Sequence, residues 1–240
     1  MVERIARWRE PRNQIPLIAV LAALCFNNWL LGPLLNYHLF ASNGSVSEFS
    51  ATNQPYYLIF RTLDIFSGLL FALLALLLAR FLQQKDKWRH TLVLGLAILG
   101  IADVLDAFFT LPCSETLDKV CNVPINISLR HLEIPSHGYS SVIIAICYFL
   151  LPLAGILYGR AKNFKYLTVV SVIAALVALA SFASAISEYA NAQSFSVRTS
   201  GFGQEAQMIV MGVWLITWAF DVCKPKLRAG KLETESRIKA

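Results

Sequence analysis

Residues 55–80 read PYYLIFRTLDIFSGLLFALLALLLAR, a stretch in which only Arg61, Asp64 and Arg80 carry charge. From Leu69 to Ala79 no side chain is polar. A helix needs roughly 20 mainly apolar residues to cross a bilayer, because lipid offers no partner to an unpaired backbone group. This run meets that requirement and lacks the alternation of a barrel strand. Five more runs, about 15–37, 91–112, 137–158, 166–187 and 205–222, read the same way. The expected fold is therefore all-α, a polytopic membrane protein built as a six-transmembrane-helix bundle over residues 15–222. Basic tails at 1–14 and 223–240 flank it.

Composition agrees. Hydrophobic residues make up 56% of the 240, charged residues 15%, and the mean hydropathy is +0.56. Soluble domains carry about a quarter charged residues, so a cytosolic enzyme, a disordered regulator and a nucleic-acid-binding domain are all excluded. The net charge of +6 and pI near 9.1 reflect topology. Seventeen of the 21 Lys and Arg lie in the two tails and in the turns at 80–90 and 159–165; Lys119, Arg130 and Arg198 alone fall in the alternate loops. The positive-inside rule then places both termini in the cytoplasm, in a multi-pass protein of the plasma membrane. The apolar run from Ile15 continues past a lipoprotein-like Leu21–Cys25 to Leu35, which reads as a retained first span and not a cleaved signal.

Charges inside spans are expensive and face the bundle interior, so each is a candidate for function. Arg61 and Asp64 lie in span two, Asp103 and Asp106 in span three. Counting 1.5 Å per residue from Pro55 and Pro112 puts Arg61 and Asp106 about 9 Å deep, with Asp64 and Asp103 about 13 Å deep. Each pair has i, i+3 spacing and shares a helix face. Arg61 is thus expected to meet Asp106, with Asp64 facing Asp103 one turn deeper. Three carboxylates against one guanidinium leave negative charge that protonation, a divalent metal such as zinc, a cationic ligand or water must relieve.

Span four opens with Ser136-His137-Gly138-Tyr139-Ser140-Ser141, and Glu205 opens span six at the same outer level. The inner halves have few such groups, so the polar residues predict a pocket that opens outward. Asp64, Asp103 and His137 are the candidate catalytic and metal-ligating residues. Arg61, Asp106, Ser140, Glu48 and Glu205 are candidate substrate-binding residues, with Arg61 suited to an anionic group such as phosphate. No H-x-x-x-H or H-E-x-x-H spacing fixes a metal shell, and a Ser three or four residues from a His is too common to define a nucleophile. Cys113 and Cys121 share the second outer loop and form a candidate disulfide. Gly155-x-x-x-Gly159 and the Ala174, Ala178, Ser181, Ala185 face are small-residue packing surfaces, open to a homo-oligomer or another membrane protein.

The stretch Val46-Ser-Glu-Phe-Ser-Ala-Thr-Asn-Gln-Pro-Tyr-Tyr-Leu-Ile-Phe60, with Asp106-Ala-Phe-Phe-Thr-Leu-Pro-Cys113 and Ile134-Pro-Ser-His-Gly138, resembles a family of prokaryotic six-span proteins. The family is known as domain of unknown function 998 and is similar in outline to DRAM-like six-span proteins. The resemblance implies a six-helix bundle with Ser47 and Glu48 in the first outer loop and His137 near the start of span four; it implies no reaction. Alkaline ceramidases are also similar in holding Ser, Asp and His inside a helical bundle, but they have seven spans and an H-x-x-x-H that this chain lacks. Two functions are therefore expected in order: a metal- or acid/base-dependent hydrolase of a lipid or lipid-linked substrate, and a non-catalytic lipid or small-ligand binding, transport-accessory or assembly protein.

Overall fold

The computed structural model describes residues 11–82, 88–118, 120–121, 136–190 and 200–224. Most of both basic tails and the centre of the first basic turn lie outside the described residues, as do Pro135 and the loop before it. In chain order the elements are α1 (Pro11–Phe26), a 3₁₀ turn (Asn28–Leu31), α2 (Gly32–Leu35), α3 (Tyr37–Ala41) and a second 3₁₀ turn (Val46–Ser50). Five long helices follow: α4 (Tyr57–Phe81), α5 (Arg89–Phe108), α6 (Ser136–Lys162), α7 (Lys165–Ala190) and α8 (Ser200–Cys223). No strand occurs among the described residues.

Helices α4 to α8 are each long and apolar enough to cross a membrane. The first expected span differs. It is broken, and the two parts reach that length only together, with a bend of 56° between them. The break falls at Asn27 and Asn28 and not at Pro33, which sits in the first turn of α2, where a missing N–H costs nothing. Asparagine side chains compete with the backbone for hydrogen bonds. Asn27 Nδ2 donates to the Ala23 carbonyl at 2.9 Å, while Asn28 turns its amide toward α4. Helix α5 also ends early, at Phe108 instead of 112. The residue before a proline disfavours helical backbone, and the extended Leu111–Pro112 carbonyls instead accept from Thr52 N at 3.1 Å and Thr52 Oγ1 at 2.8 Å. Pro152 lies within α6, which continues through it.

The helices close a ring in chain order. α1 packs on α4, α4 on α5, α5 on α6, α6 on α7, α7 on α8, and α8 returns to α1. Inside, Phe26 of α1 stacks edge-on with Phe71 of α4 at 5.2 Å and with Tyr148 of α6 at 6.1 Å. Leu74, Leu78, Leu92, Leu96 and Leu151 fill the half below them. Leu69, Leu73 and Leu76 face outward from the ring, an apolar exterior compatible with lipid contact. At the end opposite the loops, buried Asp221 accepts from Leu167 N at 3.2 Å, capping the first turn of α7, and pairs with Lys224.

Glycines set the closest approaches. A Cβ on Gly68 would lie 2.5 Å from the Gly100 carbonyl oxygen, and one on Gly100 would lie 2.5 Å from the Gly68 carbonyl oxygen. The α4 and α5 backbones therefore touch. The Gly155–Gly159 face is occupied within the bundle: a Cβ at Gly155 would meet Ser171 Oγ at 2.5 Å and Trp214 Nε1 at 2.8 Å, and one at Gly159 would meet Thr168 Oγ1 at 2.5 Å. Ala174 and Ala178 are buried as well. These four small residues therefore serve packing within the bundle.

Backbone atoms cannot move aside as a flexible side chain can. Gly100→Leu is expected to cost at least the ~1–3 kcal/mol typical of overpacking, whereas Leu76→Ala, on the outward face, should stay within about 0.5 kcal/mol. Thermal unfolding in detergent measures both; an unchanged midpoint for Gly100→Leu would refute the backbone contact.

Candidate functional site

The Gly68–Gly100 contact sets the register of the acidic residues. Ser67, beside Gly68, donates a hydrogen bond to the carboxylate of Asp103, three residues beyond Gly100. The same hydroxyl lies 3.0 Å from the Asp64 carbonyl oxygen. Asp64 accepts from Asn28 Nδ2 at 2.5 Å, so the broken first helix supplies its partner. Asp106, one turn along α5, faces α6 and accepts from Ser140 Oγ at 2.5 Å and from Ser141 Oγ at 3.2 Å.

These three carboxylates line one cavity of about 240 Å³ at the loop end of the ring. Phe26, Tyr148, Phe149 and Phe182 form its apolar walls, and Ser141, Ser181, Gln204 and Gln207 add neutral polar groups. Val46 and Ser47 of the first loop also line it, and Val46 N donates to Gln204 Oε1 at 3.0 Å. No Lys or Arg is among the lining residues.

Arg61 is not where the depth arithmetic put it. Its Nη2 donates to Thr110, one turn beyond Asp106, and the guanidinium lies over the Tyr57 ring at 5.4 Å. The reason is direction: helical side chains tilt toward the N-terminus, so Arg61 on α4 reaches outward to the level of Tyr57, past Asp106. The side chain found opposite Asp106 is His137, whose Nδ1 is 3.3 Å from Asp106 Oδ1.

Among the described residues, no three His, Cys, Asp or Glu side chains come together to hold one metal ion. The expected set of Asp64, Asp103 and His137 does not fit zinc, because each is drawn to a different neighbour: Asn28, Ser67 and Asp106. Nor do Ser141, His137 and Asp106 make a nucleophile relay. In such a relay the imidazole stands between hydroxyl and carboxylate. Here His137 Nε2 is 3.5 Å from Ser141 Oγ, but that same Oγ is 3.2 Å from Asp106 Oδ1, so both oxygens lie to one side of the ring.

Glu48 is buried and does not line the cavity. Its carboxylate accepts from Ser45 N at 3.1 Å, Thr116 N at 2.9 Å, Thr116 Oγ1 at 2.8 Å and Ser114 Oγ. It therefore ties the first loop to the second, where Cys113 and Cys121 are at disulfide distance with Cα atoms 5.9 Å apart. Burial pushes the Glu48 carboxyl up, but the hydrogen bonds from Ser114, Thr116 and Ser45 outweigh it and hold the group below its usual range. Glu205 is half-buried and lies outside the cavity lining, between Gln204 and Gln207, which face in. Ser140 touches Asp106 without lining the cavity, and its neighbour Ser141 does line it. Ser67 was not singled out from the sequence, although its i, i+3 spacing from Asp64 places it on the same helix face.

The fold and the site define a helical membrane protein with an acid-lined, aromatic-walled cavity at one end of a closed ring. The chain belongs to the family described as protein of unknown function DUF998, whose profile matches residues 17–221. No curated protein and no solved structure matches it.

Glu48 gives a pH-dependent contribution to stability. Because its folded-state pKa is lowered, the contribution is complete above the ordinary glutamate value of about 4.3 and is lost as pH falls through the lower folded-state value. Glu48→Gln should therefore melt well below the wild type at pH 7, with the gap narrowing in acid. Melting curves taken from pH 7 down to pH 3 check this, and a gap that is constant with pH would contradict it.

Proposed function

We propose that this protein binds a positively charged ligand, an amine or quaternary ammonium group, in the cavity between α1, α4, α5, α6, α7 and α8. The observation that carries this reading is the lining itself: Asp64, Asp103 and Asp106 share one space with four aromatic rings and no Lys or Arg. Neutral donors from Asn28 and Ser67 orient Asp64 and Asp103 without cancelling their charge, while Ser140, Ser141 and His137 stand beside Asp106. A buried charge left unpaired is costly, and a bound cation removes that cost. Aromatic faces add about 0.5–2 kcal/mol each to holding a desolvated cation.

The topology belongs to this reading. Counting the bent first helix as one span gives six crossings with both termini in the cytoplasm. Apart from Arg61, the described Lys and Arg residues (Arg12, Arg80, Arg89, Arg160, Lys162, Lys165 and Lys224) belong to the end away from the cavity. The cavity then faces the outside of a plasma membrane, where it takes its ligand from water or from the outer leaflet. Hydrolysis of a lipid, expected from the same acidic residues, has less support, because neither a metal shell nor an in-line nucleophile is formed among the described residues.

The test uses the full chain in lipid nanodiscs. Tetramethylammonium should bind in calorimetry, and its neutral isostere 2,2-dimethylpropane should not compete. Asp103→Asn and Asp64→Asn should each weaken binding at least tenfold while leaving the protein monodisperse. Equal competition by the neutral isostere, or undiminished binding in both variants, would refute a cation site.

A further inference from the structure

Arg61 stands apart from the cavity and has no counter-charge among the described residues. Three carboxylates lie within about two turns of it on α4 and α5, yet it makes no ion pair with any of them. Its contacts are Thr110 Oγ1, which accepts from Nη2, and the face of Tyr57. Nε is buried and has no hydrogen-bond partner among the described residues.

A guanidinium carries five donors in a planar fork. Leaving one of them buried and unpartnered costs several times what a neutral contact returns, more so for a charged group. Tyr57 and Thr110 mark where the charge sits: at the first turn of α4 and two residues past the end of α5, the loop end of the groove between these helices. Leu58, Ile59, Leu105, Phe108 and Phe109, close in sequence to Tyr57, Arg61 or Thr110, are exposed large apolar residues. The cation thus sits where apolar exposed helix surface begins, at the loop end of α4 and α5.

We infer that Arg61 and Thr110 form a phosphate-binding site at the mouth of the α4–α5 groove. A phosphate offers several acceptor oxygens, two of which can take a bidentate pair from the guanidinium, as Arg characteristically arranges. The Thr110 hydroxyl accepts from Arg61 and keeps its own proton to donate to a third oxygen. Tyr57 supports the guanidinium from one face and leaves its edge for the anion. The phosphate is that of a lipid headgroup in the adjoining leaflet or a free phosphate from water; the chemistry of recognition is the same. This site is independent of the cation cavity, since Arg61, Thr110 and Tyr57 do not line it.

The experiment compares wild type, Arg61→Gln, Arg61→Lys and Thr110→Val, all as full chains. Native mass spectrometry after addition of phosphatidylglycerol, diacylglycerol or inorganic phosphate reads out binding. Wild type should retain phosphatidylglycerol or inorganic phosphate, but not diacylglycerol. Arg61→Gln should lose at least tenfold, Thr110→Val several-fold, and Arg61→Lys should recover part of the Arg61→Gln loss. Retention of phosphatidylglycerol without inorganic phosphate identifies a headgroup site, and binding of inorganic phosphate alone identifies a free-phosphate site. Equal retention by Arg61→Gln and wild type, or diacylglycerol binding as well as phosphatidylglycerol, would overturn the inference. Asp103→Asn serves as a folded control that should keep phosphate binding while losing tetramethylammonium, so either site can fail without the other.

Discussion

Two glycines, Gly68 and Gly100, let the α4 and α5 backbones come into contact, and the arrangement of the acidic residues follows from that contact. With the chains touching at this point, Ser67 and Asp103 are brought to hydrogen-bond distance, and Asp64 and Asp106 are held at successive levels on the two helices. A larger residue at either glycine would separate the helices by the width of a side chain. The hydroxyl–carboxylate bridge would then break, and the cavity wall would open between them. Van der Waals packing of this kind is a main source of helix association in lipid, where burial of apolar surface gives no advantage.

Around that pair the remaining helices supply walls with a division of labour. α1 contributes Phe26 and, through its break, the amide of Asn28; α6 contributes Ser141, Tyr148 and Phe149; α7 and α8 contribute Ser181, Phe182, Gln204, Gln207 and Met208. The polar groups cluster at the loop end, and the leucines below seal the other half. Glu48 has a different part. It binds the two loops to each other through Ser114 and Thr116, and so fixes the backbone that carries Ser47 to the rim.

The helices were legible because their signal is one-dimensional: a long apolar run allows few other structures in lipid. The gathering of Asp64, Asp103 and Asp106 toward one end of the bundle, within a turn of one another in depth, was also legible, since depth follows from residue count alone. Pairing was not. Rotation about a helix axis and side-chain tilt decide that Arg61 meets Thr110 and that Asp106 meets His137, and residue counting contains neither. Gly155 and Gly159 were visible as small residues, but whether they meet a neighbour in the same chain or another protein depends on how the ring closes. Asn28 lies in the first apolar run with no spacing that sets it apart, and its role emerges only because the helix breaks there. Glu48 appeared as a loop acid free to meet substrate, and only the folded second loop shows its oxygens already engaged.

Ring closure between α1 and α8 has a consequence for biosynthesis. A chain is made from its N-terminus, so Asp64, Asp103 and Asp106 are synthesised well before Gln204, Gln207 and Met208 exist. Until the last helix inserts, the acidic residues of α4 and α5 face an incomplete wall, with Ser67, Ser140 and Ser141 as partners within the growing chain. The Ser67–Asp103 bridge is available as soon as α5 pairs with α4, and it requires nothing synthesised later. Early pairing of α4 with α5 thus shelters the costliest side chains during assembly, and arrival of α8 adds the Gln204, Gln207 and Met208 side of the cavity wall last.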